Sequence, residues 1–120
     1  MSVECHSLSQ PVAELSGGNQ QKVVLGRCLS RPCYVALFGE PTRGVDIAAK
    51  QQIHAQLRKL AASGVGVIFV SSDTEELISL SDRIAVMSNG EMVASFERGA
   101  WTSERLMAAA LSGYDRAAVV

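Results

Sequence analysis

Two short apolar runs with a helical pattern between them set the strongest constraint on this fold. Tyr34-Val35-Ala36-Leu37-Phe38 is the first run, and Val65 to Val70 is the second. A continuous apolar run, unlike an alternating one, predicts a strand buried on both faces, as in a parallel sheet. From about Ile47 to Ala62, the residues Ile53, Leu57, Leu60 and Ala61 fall at i, i+4, i+7 and i+8, the stripe of an amphipathic helix. Ser63-Gly64 ends that helix. Strand, crossover helix and strand together predict an α/β layered domain.

The flanking sequence extends the same order. The first fourteen residues read as irregular. Leu15 to Gln21 opens a helix running to about Arg31, with Leu25, Cys28 and Leu29 at i, i+3 and i+4 spacing. Arg31-Pro32 ends it, because a residue before proline is pushed out of the helical region. Gly39 to Gly44 is a loop by its Gly and Pro content. Ser72-Asp73-Thr74-Glu75 fits an S-x-x-E capping box and starts a short helix to about Leu80. Arg83 to Met87 and Glu91 to Phe96 read as two strands around Asn89-Gly90, a strong hairpin turn. Thr102 or Ser103 caps a last helix to about Leu111. One domain is expected over residues 1–112, with 113–120 a loose tail.

Length and charge exclude several functions. A chain of 120 residues holds one domain and not two. It is 48% hydrophobic with a net charge of -1, which excludes a disordered tail. With 11 Lys+Arg against 12 Asp+Glu there is no basic excess, so no nucleic-acid partner is expected. No apolar run approaches the roughly 18 residues of a membrane span. Met1 to His6 lacks a basic cluster followed by an apolar stretch, so a cytoplasmic location is expected. The cysteines, Cys5, Cys28 and Cys33, have no zinc-like spacing and read as buried or idle thiols. His54 reads as a surface or boundary residue, and Trp101 as a packing anchor.

Chemistry concentrates in two places. Ser16-Gly17-Gly18 lies immediately ahead of a helix, whose N-terminal N–H groups and positive dipole end bind phosphate. Glycines there let the backbone approach an anion closely. The competing reading makes Ser16 an ordinary N-cap. Glu40 stands just past the end of a strand, where α/β sheets place ligands. A carboxylate there can orient or activate a water for attack on a phosphate.

The ordered combination is more specific than its parts. Leu15-Ser16-Gly17-Gly18-Asn19-Gln20-Gln21-Lys22, followed by Glu40-Pro41-Thr42-Arg43-Gly44-Val45-Asp46, resembles the ABC transporter ATPases. The first block looks like their signature motif. Phe38-Gly39-Glu40-Pro41 matches the end of the Walker B strand, Gly44-Val45-Asp46 the D-loop, and Val70-Ser71-Ser72-Asp73 the switch region. Gly18-Asn19-Gln20-Gln21, the Pro41 to Asp46 segment and Ser71-Ser72 are similar to one subgroup. That subgroup is the C-terminal ATPase half of tandem importers of the ribose, galactose and xylose type. Asp82-Arg83-Ile84 and Asn89-Gly90 fit the same pattern, so the resemblance spans about residues 10–111.

The resemblance implies the later part of a P-loop NTPase-type domain: a layered, mostly parallel sheet with crossover helices, then a C-terminal hairpin and helix. It implies that Ser16, Gly17 and Gly18 contact the γ-phosphate of ATP held by a partner ATPase half, with Gln20 a further cofactor-binding residue. Glu40 would be the catalytic carboxylate, and Asp46 would couple the two sites. Ser72 stands where a His usually senses the γ-phosphate, although capping with Glu75 is a sufficient structural role and is preferred here. ATP and Mg²⁺ are the implied cofactors, shared with the partner half. Permease subunits and a sugar-binding protein are the implied further partners, with the chain peripheral at the inner face of the membrane.

Two departures qualify the implied activity. The family carries an Asp immediately before the catalytic Glu, and here that position is Gly39, which has no metal-supporting side chain. No G-x-x-x-x-G-K-S/T sequence occurs in these residues, so there is no Walker A loop to bind ATP. The expectation is a piece of a sugar-import ATPase that does not hydrolyse ATP by itself. The alternatives are a non-hydrolysing module that docks on another ABC ATPase, or an inactive gene remnant.

Overall fold

The computed structural model describes residues 2–117. The chain divides between Ser71 and Ser72 into two compact units.

The first unit begins with a 3-10 turn at Val12–Glu14 and continues with α1 (Gly17–Leu29), β1 (Val35–Gly39), α2 (Ile47–Ala62) and β2 (Gly66–Val70). β1 and β2 pair in parallel, with Val35 opposite Gly66, Leu37 opposite Ile68 and Gly39 opposite Val70. α2 is the crossover between them, as the spacing predicts, over the predicted residues. Its start is fixed by Asp46, whose Oδ1 accepts the Ala49 N–H at 2.8 Å. Its end is fixed by Ser63, whose N–H reaches the Lys59 and Leu60 carbonyls, with Gly64 leaving at φ +97°. α1 stops at Leu29, two residues before the expected Arg31. Ser30 ends it, its hydroxyl donating to the Arg27 carbonyl at 2.8 Å.

The core of this unit lies between the two helices. Leu25 on α1 and Ile53 and Leu57 on α2 are almost fully buried. The buried stripe of α2 is Ala49, Ile53, His54 and Leu57, whereas Leu60 is half-buried and Ala61 exposed. The expected stripe is therefore rotated toward the N-terminal end of the helix. His54, expected at the surface or the boundary, is buried.

The strands differ from expectation more sharply. Neither is buried on both faces: Ala36 is the one buried residue of β1, and β2 has none. Alternate residues of a strand point to opposite faces. Ala36, Phe38, Val67 and Phe69 share the more buried face. Val35, Leu37, Ile68 and Val70 share the other, and are 56–72% exposed. The apolar run was legible, but it does not tell which of its faces a neighbour covers. The three cysteines are free and exposed, so of the expected alternatives, buried or idle, burial holds for none of them.

The second unit holds α3 (Thr74–Leu80), β3 (Arg83–Ser88), β4 (Glu91–Glu97) and α4 (Ser103–Ala117). β3 and β4 form the predicted antiparallel hairpin. Its turn has φ +49° at Asn89 and +81° at Gly90, the positive pair that a tight two-residue hairpin requires. The register passes from Val86 opposite Ala94 to Met87 opposite Met92, which leaves Val93 as a bulge. Ile84, Val86 and Leu106 form the core, with Leu77, Phe96 and Trp101 packed against them. Trp101 is thus a packing residue, as expected.

Two local expectations are corrected in this unit. The cap of α3 is Asp73 and not Ser72: Asp73 Oδ1 accepts the N–H groups of Glu75 at 3.0 Å and Glu76 at 3.3 Å. The D-x-x-E spacing of Asp73 and Glu76 displaces the S-x-x-E box by one residue, because a carboxylate is the stronger acceptor toward a helix N-terminus. α4 is capped by Thr102, one of the two expected caps, whose Oγ1 accepts the Arg105 N–H at 3.2 Å, but it continues past the expected Leu111 to Ala117. Residues 113–117, expected in a loose tail, are therefore helical, and 118–120 lie outside the described residues. Gly113 does not end the helix because its N–H donates to Ser88 Oγ at 3.1 Å, while that hydroxyl donates to the Ala110 carbonyl. A Cβ at Gly113 would lie 2.5 Å from the same oxygen, so glycine permits this contact.

Candidate functional site: the first turn of helix α1

Ser16 caps α1 in an extended conformation. Its Oγ accepts from the Asn19 N–H at 3.3 Å and the Asn19 side-chain amide at 3.0 Å. Asn19 Oδ1 in turn accepts the Glu4 N–H at 3.1 Å. The buried Asn19 thus ties the irregular N-terminal segment to the cap. Gln20 adds a second tie, its Nε2 donating to the Leu15 carbonyl at 2.9 Å and the Ala13 carbonyl at 3.3 Å. As placed, the Gln20 amide holds the approach to the helix.

Gly17 and Gly18 occupy the first turn, whose N–H groups have no acceptor within the helix. Both glycines also have a packing role. A Cβ on Gly17 would lie 3.3 Å from the Gly44 carbonyl, and one on Gly18 would lie 2.8 Å from the Ala49 Cβ. The first turn of α1 therefore rests on the segment from Gly44 to Ala49. Gly44 turns that segment at φ +73°, and Asp46 caps α2 from it. Gly17 and Gly18, from the first sequence block, thus pack against the segment from Gly44 to Ala49 in which Asp46 lies. Asp46 is exposed but already engaged as a cap.

Glu40 follows β1 in the left-handed region, at φ +48°. Its N–H donates to the Val70 carbonyl at 2.7 Å, extending the β1–β2 ladder by one residue, and its carbonyl accepts from Arg43 at 3.2 Å. Pro41 and Thr42 are buried, so the turn after the carboxylate is anchored. A non-glycine residue in this region costs about 1–3 kcal/mol. The sequence gives no sign of that strain.

Gly39 is exposed, and a Cβ there would meet nothing within 4 Å. It lines a hollow of about 110 Å³ with Leu25, Leu37, Phe38 and Pro41. This lining supplies no carboxylate. Among the described residues, no cluster of three or more His, Cys, Asp or Glu side chains is placed to hold a metal ion. The residues at this position therefore do not fit Mg²⁺. Ser72 opens the second unit as an exposed residue one position ahead of the Asp73 cap.

Asn19, Lys22 and Glu76 are among the buried polar residues of the described chain that lay outside the expected site. Lys22 was findable, since it follows Gly18 by four residues and precedes Leu25 by three, on the packed face of α1. Glu76 was findable from its spacing to Asp73.

No protein-family model matches the chain. The ribose import ATP-binding protein RbsA 2 of Rubrobacter xylanophilus is 47% identical over 110 residues, covering 92% of this chain and 21% of the relative. The arabinose import ATP-binding protein AraG of Pseudomonas savastanoi pv. phaseolicola is 48% identical over 111 residues, 92% of this chain and 22% of the relative. The xylose import ATP-binding protein XylG of Geobacillus kaustophilus is 42% identical over 113 residues, 94% and 22%. The chain thus spans about a fifth of the length of these relatives. Among solved structures, an ATP-binding cassette captured as a dimer after hydrolysis, with ADP and phosphate, superposes with a TM-score of 0.72. It is 26% identical, and the match covers 82% of this chain and 43% of that one. A second ABC transporter cassette superposes at 0.69 with 22% identity, over 96% and 44%, a likeness of fold. Among the described residues no helix is long and apolar enough to cross a membrane.

Proposed function

The chain belongs to the ABC transporter ATPases, and from that premise we propose that it supplies the signature face of an ATP sandwich in a monosaccharide import system. One observation carries this reading. α1 begins with a neutral Ser cap and two glycines, and has no acidic residue in its first turn. Its N–H groups and dipole end are therefore left for an external anion. The fitting anion is the γ-phosphate of ATP held by the P-loop of a second ATPase half. Ser16, Gly17 and Gly18 face that phosphate, and Gln20 holds the turn that presents them.

ATP supplies the phosphoryl group when bound; the chain supplies position and charge. Glu40, at the end of β1, orients the attacking water and takes up its proton. Asp46 caps α2 beside the first turn of α1 and links movement of that turn to α2. Ser72 takes the γ-phosphate-sensing position. No step is assigned to Mg²⁺, because Gly39 offers it no ligand. The assembly extends to permease subunits and a sugar-binding protein, with the chain peripheral at the cytoplasmic face of the membrane.

Gly39 favours a second reading in which the chain docks on an ABC ATPase and modulates it without completing a hydrolytic site of its own. Both readings require ATP-dependent association. Sedimentation of the chain with the ATP-binding protein of a monosaccharide importer tests them together. The expected result is a complex that forms with ATP and is lost on Ser16→Arg. Absence of any ATP-dependent complex would overturn both. If the complex forms, turnover at the shared site separates them: faster hydrolysis by the partner, lost on Ser16→Arg, favours the first reading, and association with unchanged hydrolysis the second.

A further inference from the structure

The end of β1 departs from its family at Gly39, yet the backbone there is set for a side chain. Gly39 is not among the residues at positive φ, so an L-residue fits its conformation. Its register position is opposite Val70, on the exposed face of the ladder that also carries Leu37. A Cβ built on it meets nothing within 4 Å. The residues that follow are held in place. Glu40 N–H donates to the Val70 carbonyl at 2.7 Å, and the Glu40 carbonyl accepts from the Arg43 N–H at 3.2 Å. Val45 N–H donates to the Thr42 carbonyl at 3.3 Å, and Pro41 and Thr42 are buried.

What position 39 lacks is a hard donor. Mg²⁺ and Mn²⁺ take oxygen ligands, carboxylates above all. The hollow beside Gly39 is lined mainly by apolar side chains, with the Gln21 amide and the Cys28 thiol as its polar ones. Between Tyr34 and Val45 the one acidic residue is Glu40. With no phosphate to share the cation, the number of carboxylates sets the affinity, and a single one holds a hydrated divalent ion weakly.

We infer that the end of β1 is a dormant divalent-cation site, in which the backbone frame is retained and position 39 alone withholds binding. One carboxylate at residue 39 restores it, and the cations it takes are Mg²⁺ and Mn²⁺. The assignment rests on the acid that the family carries before the Glu, and not on the phosphate face of α1. It goes beyond the poor fit of Gly39 to Mg²⁺, because decay of the whole turn would leave nothing for one substitution to restore.

The test uses the 120-residue chain and Mn²⁺ alone, with paramagnetic broadening of the Phe38, Glu40 and Thr42 amide resonances as the readout. Three proteins are compared: wild type, Gly39→Asp, and Gly39→Asn, which matches Asp in size without its charge. The expected result is localised broadening in Gly39→Asp at a Mn²⁺ concentration about tenfold or more below that needed by the other two, the scale of one added charge-assisted contact. Added Mg²⁺ should reverse it. Equal broadening in wild type and Gly39→Asp would overturn the inference, since position 39 would then not decide binding. Broadening in neither would overturn it as well, by showing that the frame is not retained. Equal binding by Gly39→Asn would overturn the role of the carboxylate. Thermal melting is followed for each protein, and a Gly39→Asp chain that fails to fold would contradict the open space assigned to its side chain. None of these outcomes alters the ATP-dependent complex, which stands or falls by its own sedimentation test.

Discussion

At Glu40 the backbone is held where an L-residue is strained, at φ +48°. The N–H to Val70 and the carbonyl to Arg43 fix that conformation from both sides. Strain that persists at the position of a reactive carboxylate is consistent with selection for where the side chain points. The cost is measurable by comparing two variants that both lack the carboxylate. Glu40→Gly is expected to be more stable than Glu40→Ala by about 1–2 kcal/mol, because glycine alone adopts this region freely. Urea unfolding of the two variants checks this, and equal midpoints would show that no strain is stored. The neighbouring Gly39 behaves differently. A Cβ there meets open space, so Gly39→Asp is expected to change stability by less than about 0.5 kcal/mol. Whatever excludes an acid from position 39, it is not steric crowding among the described residues.

At the scale of elements, the close approach of α1 to α2 decides the site. Gly18 and Ala49 leave no room for a further carbon: an added Cβ would lie 2.8 Å from the Ala49 Cβ. Gly18→Ala should destabilise the chain by about 1–3 kcal/mol through overpacking. The double variant Gly18→Ala with Ala49→Gly should recover part of that loss. Simple additivity in unfolding experiments would place the pair out of contact. Asp46→Ala should cost about 1 kcal/mol by removing the cap of α2, and Asp46→Asn a few tenths at most.

The same elements show how far the sequence could be read. The bounds of α2 and the Asn89-Gly90 hairpin were legible because each depends on local chemistry: a capping carboxylate, a terminating glycine, a turn that needs positive φ. The cap of α3 was misread because two acceptors stood side by side, and the stronger one, Asp73, took the position. The end of α4 was misread because Gly113 usually signals a stop, and here a hydrogen bond to Ser88 carries the helix through. Burial of β1 and β2 was not legible at all, since it depends on what lies across the sheet and not on the run itself.

At the scale of the whole molecule, one surface property stands out. Val35, Leu37, Ile68 and Val70 form an exposed apolar face on the two-stranded ladder. Exposed apolar patches and open strand edges promote self-association. Leu37→Thr with Ile68→Thr puts a β-branched residue suited to strands at both positions while removing apolar surface. Light scattering is expected to show less association for this variant, with the helices unchanged by circular dichroism. Unchanged association would assign self-association to another surface.

The central claim is that the first turn of α1 meets the terminal phosphate of ATP held by another chain. An ATP analogue with a photoreactive group on its γ-phosphate tests this directly. The analogue is bound to the P-loop-bearing ATP-binding protein of a monosaccharide importer, mixed with the chain and irradiated. The account predicts an adduct within residues 16–20, formed only when the P-loop protein is present. An adduct confined to other parts of the chain, or labelling of the chain alone to the same extent, would contradict it.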